Sequence, residues 1–137
     1  MIDMGKTTIE YRIVPGTRAS LGVAGTHSVI ADRPGGTSGG MGLGFNGGEL
    51  LALAVGGCFC NDMQAIADEM GLTIEDLNVN VSIDFAGQPS RASDARMSVE
   101  CSLAGGADPT PLIERARKVT TIANSLRSGF PVEITRQ

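Results

Sequence analysis

The sequence is poor in the residue types that most often carry out chemistry in proteins, with one histidine and three cysteines among 137 residues. A single histidine gives no convincing Ser-His-Asp set for nucleophilic catalysis. Cys58 and Cys60 with His27 form a poor zinc set, because two cysteines two positions apart on one helix cannot direct both sulfurs at one metal. A fourth ligand is also missing. We therefore predict no metal site and no cofactor.

Basic clusters and long apolar runs are absent as well. Eleven Lys and Arg residues are outnumbered by 15 Asp and Glu, giving a net charge of −4, which argues against a nucleic-acid or anionic membrane surface. The apolar run over residues 50–60 is too short to span a membrane. The N-terminal residues show no signal-peptide core, so we expect a cytoplasmic location. The odd number of cysteines is expected to be free thiols, and the length predicts a single domain over residues 1–137.

One long helix over residues 47–71 is the most informative feature that the chain does contain. Asn46 and Glu49 have the spacing of a capping box, which predicts that the helix begins at Gly47, and Gly71 is a typical stop. From Leu50 to Cys60 no face of this helix is polar, so we expect it to be buried nearly all round. One small domain cannot supply that cover, which predicts an obligate homodimer.

The remaining pattern alternates runs of strands with single helices. Strands are predicted over residues 7–14, 19–24, 27–32, 77–85, 91–103 and 130–135, and a second helix over about residues 109–127. Residues 35–48 include eight glycines and should form a loop that moves or approaches something closely. Its G-x-G-x-x-G spelling, residues 42–47, lacks the preceding apolar strand of a dinucleotide site. Runs of strands separated by helices indicate an α+β fold.

Two segments carry a resemblance to a known family: Glu49-Leu50-Leu51 leading to Gly57-Cys58, and the closing residues 130–134 (PVEI after Phe130). They are similar to segments of the OsmC/Ohr family of thiol peroxidase-like proteins. The resemblance covers essentially the whole chain. It implies antiparallel sheets around a long central helix and an intertwined homodimer with the two long helices side by side. It also implies a peroxide-reducing cysteine at the subunit interface, assisted by an arginine and a glutamate.

Carried onto this sequence, the resemblance makes Cys58 the reactive thiol. Arg18 aligns best with the activating arginine, and Arg33 is the alternative. Glu49 stands one position later than the family's helper glutamate, and its capping role is a competing explanation. A neighbouring cation matters because a free thiol, with a pKa of about 8.5, is mostly protonated at neutral pH, and residues 47–71 contain neither Lys nor Arg.

The chain also departs from the family pattern. The second cysteine, which resolves the oxidised first one in peroxidase members, corresponds to Thr120-Thr121 here. Cys60 lies about 200° round the helix from Cys58 and should point away from it, so it is a secondary candidate with a packing role as its alternative. Cys101 is placed among inward positions of a strand and is read as core. Asp62, one turn after Cys58, would oppose ionisation of the thiol.

Two functions from different classes follow. The first is a one-cysteine peroxidase that reduces small apolar organic hydroperoxides and is regenerated by an external thiol. The second is a non-catalytic protein of the same fold that binds a small apolar ligand or senses thiol oxidation. Both place Cys58 at the interface of a homodimer. The substrate and the reductant are not predictable from the sequence.

Overall fold

The computed structural model describes residues 5–137, which divide into two compact units at residues 51 and 52. The first unit contains β1 (Glu10–Ile13), β2 (Ser20–Ala24), β3 (His27–Ala31) and the first turn of α1 (Gly47–Glu69). The second contains the rest of α1, then β4 (Ile74–Ala86), β5 (Arg91–Leu103), a 3₁₀ turn (Ala104–Gly106), α2 (Thr110–Val119) and α3 (Thr121–Ser128). Both sheets are antiparallel. This arrangement confirms the predicted α+β fold with a long helix.

The sheet of the first unit has the strand order β1-β2-β3. Tyr11 is paired with Gly22 across β1 and β2, and a Cβ at Gly22 would lie 2.6 Å from the Tyr11 ring. The missing side chain therefore makes room for the aromatic ring to cover the glycine backbone. After β3, a parallel bridge from Ala31 to Phe45 brings the chain back beside the sheet. The intervening glycine-rich residues 33–44 thus form a closed loop. The predicted loop over residues 35–48 extends too far, because Gly47 and Gly48 belong to α1.

The start of α1 is fixed by the predicted capping box. The backbone N–H of Glu49 donates to Asn46 Oδ1 at 2.8 Å, and the backbone N–H of Asn46 donates to Glu49 Oε1 at 3.0 Å. At the other end Gly71 takes a left-handed φ of 68°, and the Leu72 N–H donates to the carbonyl of Ala67 at 2.8 Å. These contacts satisfy groups that a helix end leaves unpaired.

The second unit packs one face of α1 against the β4–β5 hairpin and α2. Its buried core consists of apolar residues from these elements: Phe59, Met63, Ile66, Ala67, Leu103, Leu112 and Ala116. Gly56 is buried in α1, and a Cβ there would lie 3.0 Å from Val81. A glycine at this position therefore lets the helix approach β4 closely. The strands pair from Ile74–Leu103 to Ala86–Arg91, so β4 begins three residues before its predicted start.

Three sequence expectations about this fold are not met by the single chain. First, α1 is not buried all round here: Leu53 is 53% exposed and Ala54 and Gly57 are exposed, because the single chain covers only the face that meets β4 and β5. The expectation assigned the remaining cover to a partner subunit, so it stays a prediction. Second, the predicted helix over residues 109–127 is broken at Thr120, whose ψ of 112° is extended. Third, residues 130–135 form no strand, because no strand of residues 5–137 offers their backbone a hydrogen-bonding neighbour.

By length and composition, α1 could cross a membrane. That is weak evidence, because the core helix of a water-soluble protein meets the same criteria. Part of α1 is committed to a protein core through Phe59, Met63 and Ile66, and its second half carries Asp62, Asp68 and Glu69. A small folded domain of this kind is compatible with the cytoplasmic location, which stays a prediction.

Candidate functional site

Cys58 lies in the middle of α1 on a half-buried position between the core face and the exposed face. Its Sγ is 4.0 Å from Oδ2 of Asp62, one helical turn further on, with the thiol as the donor. Next to it, Gly57 is exposed, and a Cβ there would meet no atom within 4 Å. Cys58 is therefore partly exposed, next to an open position on the helix surface, and a carboxylate stands beside its thiol.

The other two cysteines occupy different environments. Cys60 is also half-buried. Cys101 packs against the core of the second unit, and burial, with a smaller contribution from Asp76, raises the pKa of its thiol. A raised pKa keeps the thiol protonated at neutral pH, which is the inert form. This packing is consistent with the prediction that Cys101 is a core residue. Cys58 and Cys60 remain the candidates for thiol chemistry. No disulfide links these free cysteines.

Glu49, the predicted helper glutamate, is held by the capping box. Its side chain is exposed, and one carboxylate oxygen accepts from the N–H of Asn46. A capping box satisfies two orphan donors at the helix start. A catalytic role would therefore have to coexist with this bond or break it.

Arg18, the first candidate cation, projects from a rigid turn between β1 and β2. The Thr17 hydroxyl donates to the carbonyl of Val14 at 2.8 Å and accepts from the N–H of Ala19 at 3.0 Å. These two bonds fix the backbone on either side of Arg18. Its guanidinium lies against the glycine-rich loop, where a Cβ at Gly39 would lie 3.5 Å from the guanidinium carbon. None of the ion pairs found among residues 5–137 uses Arg18.

Arg33, the alternative cation, begins the same loop, and its side chain is exposed. Its backbone is tightly enclosed, because a Cβ at Gly40 would lie 2.4 Å from the Arg33 carbonyl oxygen. The Gly42 N–H donates to that oxygen at 3.0 Å. Arg33 is likewise outside the ion pairs formed within the described part of the chain. The structure therefore leaves both arginines available.

Asp32 organises the glycine-rich loop, and the sequence patterns did not single it out. It is only 8% exposed, and its carboxylate accepts the backbone N–H groups of Arg33 at 2.8 Å, Met41 at 3.1 Å and Leu43 at 3.0 Å. The bond from Leu43, followed by those from Met41 and Arg33, holds the pKa of this carboxyl below its usual value against the opposing effect of burial. Its position just before a glycine-rich run is the signal that could have found it.

The predicted site residues thus fall into two groups. Cys58 and Cys60 belong to the second unit, where Cys58 meets Asp62, whereas Arg18, Arg33 and Glu49 belong to the first. Within the first unit, Arg18 and Arg33 both adjoin the glycine-rich loop. Among residues 5–137, no group of three or more His, Cys, Asp or Glu side chains is arranged to hold a metal ion. The chemistry that this arrangement offers is that of a thiol.

Comparison with known proteins places the chain in a family. The family model described as OsmC-like protein matches residues 39–135, which is more than half of the chain and includes α1 with Cys58. The chain therefore belongs to the OsmC-like protein family. A search of curated proteins found no match.

Solved structures show the same fold at low sequence identity. An OsmC-like protein from Mycoplasma pneumoniae has a TM-score of 0.75 and 17% identity, over 91% of this chain and 89% of that one. An organic hydroperoxide resistance protein OsmC from Legionella pneumophila has a TM-score of 0.63 and 16% identity, over 92% of each chain. An organic hydroperoxide resistance protein from Elizabethkingia anophelis has a TM-score of 0.66 and 16% identity, over 94% and 93%. Together with the family model, these neighbours support membership of the OsmC/Ohr family.

Proposed function

We propose that this protein reduces organic hydroperoxides through a single reactive cysteine, Cys58. The observation that carries the proposal is the accessible thiol on α1, half-buried and adjacent to the open position of Gly57. The chain belongs to the OsmC-like family, and proteins of similar structure are named organic hydroperoxide resistance proteins, which supports a peroxide-related role. Cys101 is a poor alternative, because burial raises the pKa of its half-buried thiol and so favours the protonated form.

In the proposed reaction, the Cys58 thiolate attacks the terminal oxygen of a hydroperoxide ROOH. An S–O bond forms and the O–O bond breaks, so that the cysteine becomes a sulfenic acid and ROH leaves after taking up a proton. An external thiol then condenses with the sulfenic acid, releasing water and forming a mixed disulfide. A second external thiol attacks that disulfide and regenerates Cys58, leaving the external thiols as their own disulfide.

External thiols are needed because this chain offers no evident resolving partner. By the family resemblance, Thr120-Thr121 corresponds to the place of the second cysteine in peroxidase members. Cys60 follows Cys58 by two positions on the same helix, which directs the two side chains apart. One equivalent of peroxide should therefore give a Cys58 sulfenic acid that dimedone traps. A disulfide between Cys58 and Cys60 or Cys101, found by mass spectrometry of the folded protein, would contradict this.

Arg18 is proposed as the cation that favours the Cys58 thiolate, from the same or the partner subunit, with Arg33 as the alternative. Its guanidinium is outside the ion pairs formed by residues 5–137 and projects from a turn that is fixed by Thr17. An opposite charge within 4 to 6 Å favours the ionised form of an acid and lowers its pKa by about 1 to 3. Glu49 is proposed to assist only if its bond to Asn46 opens.

A homodimer is proposed as the working form. Leu53 is 53% exposed on α1 beside Ala54 and Gly57, and Phe130, Val132 and Ile134 are 63%, 74% and 94% exposed. Surfaces of this kind on a small protein mark interaction sites. Sedimentation at micromolar concentration should show a dimer. Leu53→Asp should weaken it, whereas Ser82→Asp, at an exposed polar position of β4, should not. A stable wild-type monomer would overturn the proposal.

The decisive activity test follows Cys58 directly. We expect the wild-type protein to consume tert-butyl hydroperoxide in the presence of a dithiol, and the Cys58→Ser variant to lose this activity. Cys60→Ser and Cys101→Ser serve as matched controls that should retain it. Alkylation of Cys58 by iodoacetamide, followed by mass spectrometry from pH 5 to 10, should show a midpoint below about 8.5, the value of an unactivated thiol. A midpoint at or above that value would refute the peroxidase proposal.

A second function is favoured by two observations, the carboxylate of Asp62 beside the thiol and a groove on the sheet of the first unit. The groove has a volume of about 200 Å³ and is lined by apolar residues that include Ile9, Tyr11 and Val29, together with His27. A small apolar ligand would fit such a lining. Binding of a hydrophobic fluorophore that survives in Cys58→Ser, together with an unreactive wild-type thiol, would support this non-catalytic function.

A further inference from the structure

The two ends of the glycine-rich loop over residues 33–44 are joined by backbone bonds and by one carboxylate. The Gly42 N–H donates to the carbonyl of Arg33 at 3.0 Å, and beyond the loop the Phe45 N–H donates to the carbonyl of Ile30 and the Asp32 N–H to that of Phe45, both at 2.9 Å. The Asp32 carboxylate accepts three further bonds, from the N–H of Arg33 at the start of the loop and from those of residues 41 and 43 at its far end. Removing the carboxylate would leave three backbone donors without their acceptor.

No cation shares this role. The ion pairs formed within residues 5–137 do not include Asp32, so its charge is balanced by backbone N–H groups alone. Arg33 follows Asp32 directly and Arg18 lies against the loop, and both side chains are exposed; the adjoining strands also carry Glu10, Arg12 and His27. A carboxylate that accepts several N–H bonds remains ionised far into the acid range. The clamp is therefore closed at every pH near neutrality.

The loop in turn forms the surface on which Arg18 rests. Gly39 lies near the middle of the loop with a φ of 82°, and its Cα side faces the guanidinium, since a Cβ there would lie 3.5 Å from both Cζ and Nη1. Ser38, just before it, has a φ of 45°, a conformation that a residue other than glycine rarely adopts. Contacts elsewhere must hold the loop in this shape, and the Asp32 bonds are the side-chain bonds among those that join its two ends.

We propose that Asp32 is a positioning residue: by clamping the two ends of the glycine-rich loop, it fixes the surface that holds the Arg18 guanidinium in place for Cys58. The proposal rests on the proposed function, in which Arg18 favours the Cys58 thiolate. Asp32 itself touches neither substrate nor thiol in this account. It acts through the loop and through Arg18.

The test combines three variants, Asp32→Asn, Arg18→Ala and the double variant, with Asp84→Asn as the control at an exposed aspartate of β4. Amide hydrogen exchange reports the clamp, and we expect Met41 and Leu43 to exchange at least about tenfold faster in Asp32→Asn. Alkylation of Cys58 against pH, read by mass spectrometry, reports the position of Arg18. Asp32→Asn should shift its midpoint upward in the same direction as Arg18→Ala.

Non-additivity separates a positioning role from general destabilisation. If Asp32 acts through Arg18, the double variant should shift the midpoint no further than Arg18→Ala alone. Independent additive shifts would overturn the inference, as would unchanged exchange at Met41 and Leu43. Should Asp32→Asn fail to fold, Asp32→Glu keeps the charge but displaces it by one methylene, and it should give a smaller upward shift.

The two proposals fail in different ways. A midpoint that moves in Arg18→Ala but stays at the wild-type value in both Asp32 variants would overturn the positioning role and leave the proposed function standing. A midpoint that stays fixed in Arg18→Ala would remove the proposed activating cation, and with it both the activation by Arg18 and the role of Asp32 in that activation.

Discussion

Replacing Thr120 with valine should stabilise this protein, which is an unusual expectation for a buried polar residue. Thr120 is 1% exposed, and its Oγ1 is buried with no hydrogen-bond partner among the described residues. It lies at the junction of α2 and α3 but makes no capping bond with its side chain. The hydroxyl therefore loses its hydration on folding and gains nothing in return.

The magnitude follows from what the substitution leaves unchanged. Valine has nearly the same shape as threonine, and the φ of −63° and ψ of 112° at this position are extended, which suits a branched side chain. The backbone bonds to Ala116 and from Asn124, both 3.1 Å, are kept. An unsatisfied buried polar group costs about 1 to 3 kcal/mol, so we expect a gain of about 1 kcal/mol and a Tm rise of about 3 to 5 °C.

The assay is thermal and chemical unfolding of wild type, Thr120→Val and Thr110→Val. Thr110→Val is the matched control, because its exposed hydroxyl donates to Asp108 Oδ1 at 2.8 Å and the same substitution removes a formed bond. We expect the control to be slightly less stable than wild type. A Thr120→Val protein no more stable than wild type would refute the reasoning, since it would show that the Thr120 hydroxyl is bonded in solution.

Three further predictions concern the loop and the thiol. Gly44→Ala should destabilise the protein by more than about 2 kcal/mol in urea titrations, because the added Cβ would lie 2.1 Å from a backbone oxygen of β3. Gly47→Ala is the control: its Cβ would meet nothing within 4 Å, so the substitution should be neutral or stabilising. Because the pKa of Asp32 is lowered in the folded state, its contribution to the free energy of unfolding is present above the unfolded pKa of about 3.9 and is lost as the pH falls through the folded pKa. Asp32→Asn should therefore be less stable than wild type at pH 7, and its stability should fall less steeply below pH 4 in acid titrations. An unchanged acid limb would contradict this. Asp62→Asn should speed iodoacetamide alkylation of the neighbouring thiol at pH 7 by at least about threefold, with Asp68→Asn as the control, and an equal or slower rate would show that the carboxylate does not oppose ionisation.

The parts of the fold that are encoded in local chemistry could be predicted from the sequence. The start of α1 follows from two side chains three residues apart, Asn46 and Glu49, and its end follows from Gly71. Strand β5 was expected over residues 91–103 and is found there, because its alternation of apolar and polar residues reflects a hairpin that is half-buried on α1. Such signals are complete within a few residues of the chain.

The candidate site was harder to predict because its contacts join distant residues. Cys58 and its neighbour Asp62 are one helical turn apart and could be anticipated together. The three bonds of Asp32 could not, since two of them reach residues 41 and 43 across a loop whose shape depends on glycines with positive φ. The same limit applies to Thr120, where an extended residue interrupts a sequence that reads as one continuous helix.

The predicted closing strand, residues 130–135, is a segment whose structure the single chain does not explain. Residues 130–134 have large apolar side chains at every second position as a strand does, yet in this structure Val132 is 74% and Ile134 is 94% exposed. An alternating pattern is informative only when a neighbouring strand accepts the backbone bonds and a core accepts the side chains. Among residues 5–137 neither is supplied to this segment. If the proposed homodimer forms, this segment and the exposed Leu53 face of α1 are the surfaces that a second copy would cover. The closing strand and the fully buried helix are the two sequence predictions that are not met in the single chain. Both would then have one physical cause, the missing partner subunit.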